Sequence, residues 1–492
     1  MKKPEIVFIP APAMGHLIAA VEAAKLLVDL DDHLSITVII IKPPPYESKV
    51  SDYVQSLRSS TSFSDRIRFI ELPQPRQDEL AAKNIPLPKF FSTYIESHKP
   101  LVKEAVLTKF DDSDLVLTGF VIDMFCTPII DLATELGVPS YVFFTSSVAF
   151  LALMFHLQTL RDEQNMDASE LNDSDSELPF PGFVNAIPAK VLPTVVLHKE
   201  WLAVIIEIAR RLRETKGIMV NSFTEIESYP LESLSRSQVG NVPPIFPVGP
   251  ILNLKGDGHD ESSSGEFDVI MQWLDNQPPS SVVFLCFGSK GSFSEDQVQE
   301  IACALDQSGH RFLWSLRKPQ PKGVISSPTD YSNFEEVLPQ GFLDRTAEIG
   351  KVIGWAPQVS VLAHPAIGGF VSHCGWNSTL ESIWFGVPIA AWPLYAEQQF
   401  NAFQTVRELG LAVEIKMDYR RDSRLGIKEP PIVTAEEIKR GIVGLMEPQS
   451  DVRKKMKVIS EKSRKASVKG GGSSYSSLRD FISLVLGNMP MN

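Results

Sequence analysis

The residues between Trp355 and Gln398 read WAPQVSVLAHPAIGGFVSHCGWNSTLESIWFGVPIAAWPLYAEQ. They hold Trp355, Ala356 and Gln358, then the cluster His373-Cys374-Gly375-Trp376-Asn377-Ser378, then Glu381 and the pair Glu397-Gln398. Together these make the inventory that a nucleotide sugar requires: a flat ring to stack, a ribose and two phosphates to hold, and a hexose to read. Gly369–Ser372 reads as a strand, so 373–378 is a strand-to-helix turn. Gly375 permits a tight backbone there. Asn377 and Ser378 would open the helix as caps, with N–H and side-chain groups facing a diphosphate. His373 can donate to a phosphate oxygen. Phe287-Gly288-Ser289 ends an earlier strand, where Gly288 allows close backbone approach and Ser289 can reach a phosphate. Glu397 and Gln398 follow the strand Pro388–Ala391 and suit the hydroxyls of a hexose. An amide both donates and accepts, so Gln398 can hold two neighbouring hydroxyls. Trp376 either lines the sugar site or packs as core.

Transfer of a sugar to a hydroxyl also needs a proton acceptor. His16 stands in Pro10-Ala11-Pro12-Ala13-Met14-Gly15-His16, a turn after the first apolar run that opens a helix. A neutral imidazole there can take the acceptor proton near pH 7. Asp123 follows the fourth run, Gly119–Ile122. In a sheet of order 3-2-1-4-5, strands one and four are neighbours at the topological switch point. His16 and Asp123 then come side by side, and a carboxylate on one imidazole nitrogen fixes the tautomer and stabilises the imidazolium. No metal-binding cluster appears, so no metal is expected. His373, Ser289 and helix N–H groups would meet the charge of the leaving diphosphate. A single displacement then inverts the anomeric centre, giving a β-linked product from an α-linked donor.

These residues need strands to carry them. Short Val-, Ile- and Phe-rich runs recur at Ile6–Ile9, Ile36–Ile41, Ile67–Leu72, Gly119–Ile122, Tyr141–Phe144 and Ile218–Val220. A second series follows at Val282–Phe287, Phe312–Leu316, Val352–Ile353, Gly369–Ser372, Pro388–Ala391 and Leu411–Ile415. Most are apolar throughout, as strands buried on both faces are. Helical patterns such as Ile18–Asp29, Glu295–Gln307, Leu380–Trp384 and Gln398–Leu409 lie between them. Alternating strand and helix in both halves predicts an α/β protein of two doubly wound domains. The expected divisions are 1–252, a Gly/Ser/Asp-rich linker over 253–266, a second domain over 267–470, and a C-terminal helix within 471–492 that returns to the first domain. Asp167–Glu177 and Lys318–Asn333 read as loops.

The stretch Trp355–Gln398 resembles the signature box of the plant family-1 UDP-glycosyltransferases. It matches in length, in its opening Trp-Ala-Pro-Gln, in its central His-Cys-Gly-Trp-Asn-Ser and in its closing acidic-Gln pair. The resemblance implies the GT-B fold, two Rossmann-like domains facing across a cleft. It implies that Trp355 stacks on uracil, that the Ala356 backbone pairs with the base edge, and that Gln358 and Glu381 take the ribose hydroxyls. It implies that His373, Asn377 and Ser378 contact the diphosphate and that His16 and Asp123 are the catalytic pair. A terminal Gln goes mostly with glucose in that family, so UDP-glucose is the expected donor, a co-substrate rather than a cofactor. The opening PEIVFIPAPAMGHL is similar to enzymes that glucosylate phenolics, flavonoids and terpenoids. A small lipophilic acceptor would then sit in the first half, and Phe91, Phe120, Phe125, Phe144, Phe150 and Phe183 either line its pocket or belong to the core.

Bulk properties agree with an ordinary globular enzyme. The chain has 492 residues, too many for one core, and a net charge of −13, which makes nucleic acid and anionic membranes poor partners. Its four cysteines form no C-x-x-C pair, and reduced thiols in a cytoplasmic, monomeric protein are expected. The first residues read as a strand broken by Pro10 and Pro12 rather than as a signal peptide. No window is long and apolar enough for a membrane span. Three other readings share the residues: use of another UDP-sugar donor, a sugar-nucleotide hydrolase or epimerase, and a binding protein without catalysis. A hydrolase or epimerase would call for a second acid/base pair in the donor half, and none is found. A binding protein would have lost His16 or Asp123, and both are present.

Overall fold

The six apolar runs of the first half become the parallel strands β1 (Lys3–Ile9), β2 (Ser35–Ile40), β3 (Ile67–Glu71), β4 (Leu115–Asp123), β5 (Ser140–Phe144) and β6 (Ile218–Val220), and a seventh, β7 (Ile245–Pro247), joins them. This computed structural model describes residues 3–42, 47–59, 65–74, 87–111, 114–171, 175–236, 241–254, 264–320, 328–421 and 430–488. The strand order is β3-β2-β1-β4-β5-β6-β7, so the chain reverses direction across the sheet between β1 and β4. Their register sets Ile9 opposite Ile122. β2 and β5 are buried along their whole length, as the unbroken apolar runs required. One face is covered by the helices Met14–Leu30 and Ser473–Gly487, whose Val21, Leu27, Phe481 and Val485 join Ile6, Phe8, Ile36 and Val38 in one cluster. Phe481 meets Tyr141 edge-on at 5.4 Å and Phe246 at 5.6 Å.

β7 was hidden in the sequence by the prolines of NVPPIFPVGP. It is an edge strand of this sheet, and Pro247, which lacks an N–H, is tolerated there.

The second half supplies β8 (Val282–Cys286), β9 (Arg311–Ser315), β10 (Gly350–Ile353), β11 (Ile367–Ser372), β12 (Ile389–Ala391) and β13 (Ala412–Glu414). They form a parallel sheet of order β10-β9-β8-β11-β12-β13. Alternate side chains fill two cores. Val283, Leu285, Phe312, Trp314, Val371 and Trp392 pack on one face. Val282, Phe284, Leu313 and Phe370 pack on the other, with Phe284 stacked on Phe370 at 5.3 Å. The helix expected over Gln398–Leu409 is divided: an α-helix, Gln398–Phe403, passes into a π-helical turn, Gln404–Glu408.

Two compact units result. One comprises Met1–Ala168, Lys199–Asn253 and Lys465–Asn492, the other Ser169–His198 and Leu254–Arg464. The sequence boundaries differ from these in one large respect. Ser169–His198 falls inside the expected first domain, yet it belongs to the second unit. The reason is apolar burial, since Phe180 and Phe183 pack on Phe400. Most of the expected linker, 255–263, lies outside the described residues, as do 172–174 and 321–327 of the two expected loops. Among the described residues no helix is long and apolar enough to cross a membrane. All four cysteines are unpaired.

Candidate functional site

In the first unit, β1 ends at Ile9 and a Pro-rich turn leads into the helix Met14–Leu30, so His16 lies in the first helical turn. Asp123 is the last residue of β4, the neighbouring strand. The switch point brings them together: His16 Nδ1 lies 2.7 Å from Asp123 Oδ2. The carboxylate is 3 % exposed and the imidazole 26 %. The other carboxylate oxygen accepts the N–H of Phe125 at 3.0 Å. Both oxygens are therefore fixed, and with them the ring orientation. Thr145 Oγ1 approaches the same Nδ1 at 3.1 Å. Thr145 was not singled out in the sequence. Its signal was position, one residue past β5, at the same sheet edge.

The phenylalanines divide. Phe125 lies 5.7 Å from the His16 ring, and Phe91, exposed at the surface, lies 6.3 Å from Phe125. Phe120, Phe144 and Phe150 are buried in the core. Phe183 is a correction to the expected first-half pocket, because it belongs to the second unit.

In the second unit, the turn after β11 holds His373 buried. Two glycines make its slot. A Cβ at Gly288 or at Gly375 would each stand 2.6 Å from His373 Nε2. Gly288 also has φ of +73°, a left-handed conformation that suits glycine. Burial lowers the His373 pKa to about 4, so the ring is neutral at pH 7. Its Nδ1 and the buried Oδ1 of Asn377 have no hydrogen-bond partner in the structure. Orphaned buried polar atoms are unusual and mark a place where a ligand or water is owed. Cys374 takes a φ of +61°, and Asn401 Nδ2 bonds its carbonyl at 3.0 Å. The helix Trp376–Phe385 starts at the N-cap Gly375, so Asn377 and Ser378 lie in its first turn rather than at the cap. Ser289 is exposed just past Gly288, and Trp376 is buried at 3 %.

Gln358 opens the short helix Gln358–Ala363. Its Nε2 donates to Ser378 Oγ at 2.8 Å and Glu381 Oε2 at 2.6 Å, which gathers three of the expected polar residues. Trp355 is 47 % exposed and Ala356 is buried. An aromatic ring that open is not core. Arg317 Cζ stands 5.3 Å from the Trp355 ring centre, a cation–π contact. Arg317 is itself held by Asp330 at 3.1 Å and by the Pro328 carbonyl at 2.6 Å. Arg317 was missed in the sequence, where it falls between the strand Phe312–Leu316 and the loop Lys318–Asn333.

Glu397 is the half-buried residue before the helix Gln398–Phe403. Gln398 is buried, and its Oε1 accepts the N–H groups of Leu394 at 2.9 Å and Tyr395 at 3.0 Å. This corrects the expectation that its amide both donates to and accepts from a sugar. Both lone pairs hold the preceding loop, and Nε2 alone remains for a hydroxyl.

Two parallel-sheet α/β units with polar side chains at their strand ends are the architecture of the GT-B glycosyltransferases. Comparison with known proteins narrows it further. Residues 250–425 match the family model described as UDP-glucoronosyl and UDP-glucosyl transferase. The chain is 54 % identical to a protein of Fragaria ananassa named putative UDP-glucose flavonoid 3-O-glucosyltransferase 3, over 98 % of this chain and 99 % of that protein. A UGT transferase of Siraitia grosvenorii, solved in complex with UDP, is 50 % identical with a TM-score of 0.86, over 98 % of this chain and 100 % of the other. Medicago truncatula UGT71G1, solved with UDP-glucose, is 42 % identical with a TM-score of 0.83, over 98 % of each chain. The chain belongs to the plant family-1 UDP-glycosyltransferases.

Proposed function

We propose that this enzyme transfers glucose from UDP-glucose to a hydroxyl of a flavonoid-type or similar lipophilic acceptor, inverting the anomeric centre to give a β-glucoside. The 2.7 Å contact between His16 and Asp123 carries the reading. With Nδ1 bound to the carboxylate, Nε2 is the nitrogen that takes the proton of the acceptor hydroxyl. The aspartate stabilises the imidazolium as the oxygen attacks the anomeric carbon. The C–O bond to the diphosphate breaks in the same displacement, which inverts the centre.

Trp355 offers an open ring face to uracil, and the Ala356 backbone the base edge. Glu381 and Gln358 are already bonded to each other and present a joint polar edge to the ribose. His373, Asn377, Ser378 and Ser289 receive the diphosphate, and the two orphaned atoms at His373 and Asn377 support that assignment. A neutral His373 remains a donor through one nitrogen. Gln398 Nε2 and the Glu397 carboxylate read the hexose. Phe125 and Phe91 flank the acceptor beside His16. The flavonoid acceptor rests on the names of relatives such as the Fragaria protein.

The test is an acceptor screen with UDP-glucose, read by mass spectrometry, with the anomeric coupling of the product measured by NMR. Glucosides with the large coupling of a β-linkage are expected. An α-linked product would overturn the inverting reading.

A further inference from the structure

Ser169–His198 lies in sequence between helices of the first unit but is part of the second. Two sets of contacts fasten it. The first is aromatic. Phe183 stacks on Phe400 at 4.9 Å and lies 5.9 Å from Phe403. Phe180 meets Phe183 edge-on at 5.0 Å and Phe400 at 5.9 Å. Phe180, Phe183, Phe400 and Phe403 are all buried. The second set is polar. The Glu408 carboxylate accepts the N–H of Val184 at 2.9 Å, the N–H of Asn185 at 3.2 Å and the side-chain amide of Asn185 at 2.8 Å. Arg420 donates to the carbonyls of Lys190 at 2.6 Å and Leu192 at 3.0 Å.

The aromatic contacts and those of Glu408 converge on one element. Phe400 and Phe403 belong to the helix that Gln398 opens, and Glu408 ends its π-helical continuation. An α-helix of six residues has little stability of its own and depends on what packs against it. Gln398 is thus a side chain whose Oε1 is committed to a loop and whose backbone stands on a short helix. The orientation of its Nε2 depends on that helix staying in place. π-helical turns are often found beside functional sites, and side chains that read a ligand need a supporting shell to hold them within about half an ångström.

We propose that the segment 175–198 is a strap that positions Gln398, with Phe183 and Glu408 as positioning residues for discrimination among UDP-hexoses. The proposal rests on the assignment of Gln398 as the hexose reader made above. Its consequence is selective. Loosening the strap disturbs what the enzyme does with the hexose and leaves UDP, which has none, unaffected.

The experiment uses the full chain with Phe183→Ala, Phe183→Leu, Glu408→Gln and Gln398→Ala. For each, kcat/KM is measured with UDP-glucose and UDP-galactose on one acceptor, and the Kd of UDP by calorimetry. Phe183→Ala and Glu408→Gln are expected to lower the glucose-to-galactose ratio by about two- to thirty-fold, the range for residues that act on a site without touching its ligand. The UDP Kd should stay unchanged, and Phe183→Leu, which keeps apolar bulk, should recover most of the ratio. Glu408→Gln removes the charge and one of the two accepting oxygens at a half-buried position without opening a cavity, so it serves even if Phe183→Ala does not fold. A ratio that falls in Gln398→Ala but not in the strap variants overturns the strap and leaves the reader standing. A ratio unchanged in Gln398→Ala overturns the reader, and the strap with it. Weakened UDP binding in parallel with the ratio means a merely structural role and also overturns the proposal.

Discussion

His16 is a surface-reaching imidazole on a buried anchor. Asp123 holds Nδ1 at 2.7 Å. Replacing His16 with Ala should lower kcat by about 10²–10⁴-fold, the usual worth of a positioned base, with the Kd of UDP unchanged. The fair assay uses an alcohol acceptor, since acidic phenols ionise with less help, and turnover near that of the wild type would remove His16 as the base. Trp355 is tested without chemistry at all. Trp355→Ala should weaken UDP binding by about 1–3 kcal/mol, the range for base–aromatic stacking, as read by calorimetry. An unchanged Kd would leave the exposed ring without that role. Gln398 shows how a side chain's bonding narrows its use. With Oε1 accepting from Leu394 and Tyr395, Gln398→Glu would keep an acceptor toward the loop and lose the N–H donor proposed to read the sugar. The ratio of kcat/KM for UDP-glucose over UDP-galactose should therefore fall, chiefly through loss of glucose use.

At the scale of elements, the turns after strands carry nearly everything. β1, β4 and β5 end together, which is why His16, Asp123 and Thr145 meet although they are far apart in the chain. The apolar runs made this legible, since unbroken Val and Ile require parallel strands with both faces covered and the order 3-2-1-4 follows from that class. The strand β7 was not legible, because prolines outweighed a three-residue run. The bonding of Gln398 and the placement of Phe183 were not legible either. Both depend on contacts that periodicity does not encode, a side chain turned back on its own loop and a ring buried far along the sequence. The slot of His373 belongs here too. It is made by two turns, one after β8 and one after β11, whose glycines leave room for the ring. Gly375→Ala would put a Cβ 2.6 Å from Nε2. Overpacking of that kind costs about 1–3 kcal/mol, so the variant should unfold at lower urea and bind UDP more weakly. A variant with wild-type UDP affinity would show that the ring can move without consequence.

At the scale of the whole molecule, pH acts on two sets of groups. Asp162 is held below the usual carboxylate range by hydrogen bonding to Arg210, and Glu437 by its bond from the Thr434 backbone. They weaken the fold only as pH falls through the carboxylate range. Three histidines act earlier. Burial lowers the pKa of His98, His310 and His373, the last to about 4 from an ordinary 6.5. A histidine whose pKa is depressed on folding resists protonation in the native state while the unfolded chain takes the proton. Its contribution is intact above pH 6.5 and is lost progressively down to about pH 4. For His373 the loss over that window approaches about 3 kcal/mol, at 1.36 kcal/mol per unit. His373→Gln keeps a neutral polar side chain in the same slot and cannot titrate. Urea unfolding at pH 7.5, 6.5 and 5.5 should show the wild type losing more stability than this variant in the last step, by about 1 kcal/mol. His98 and His310 titrate alike in both proteins, so the difference isolates His373. Parallel stability curves from pH 7.5 to 5.5 would mean that the buried imidazole takes its proton as easily folded as unfolded, and would overturn the lowering of its pKa by burial.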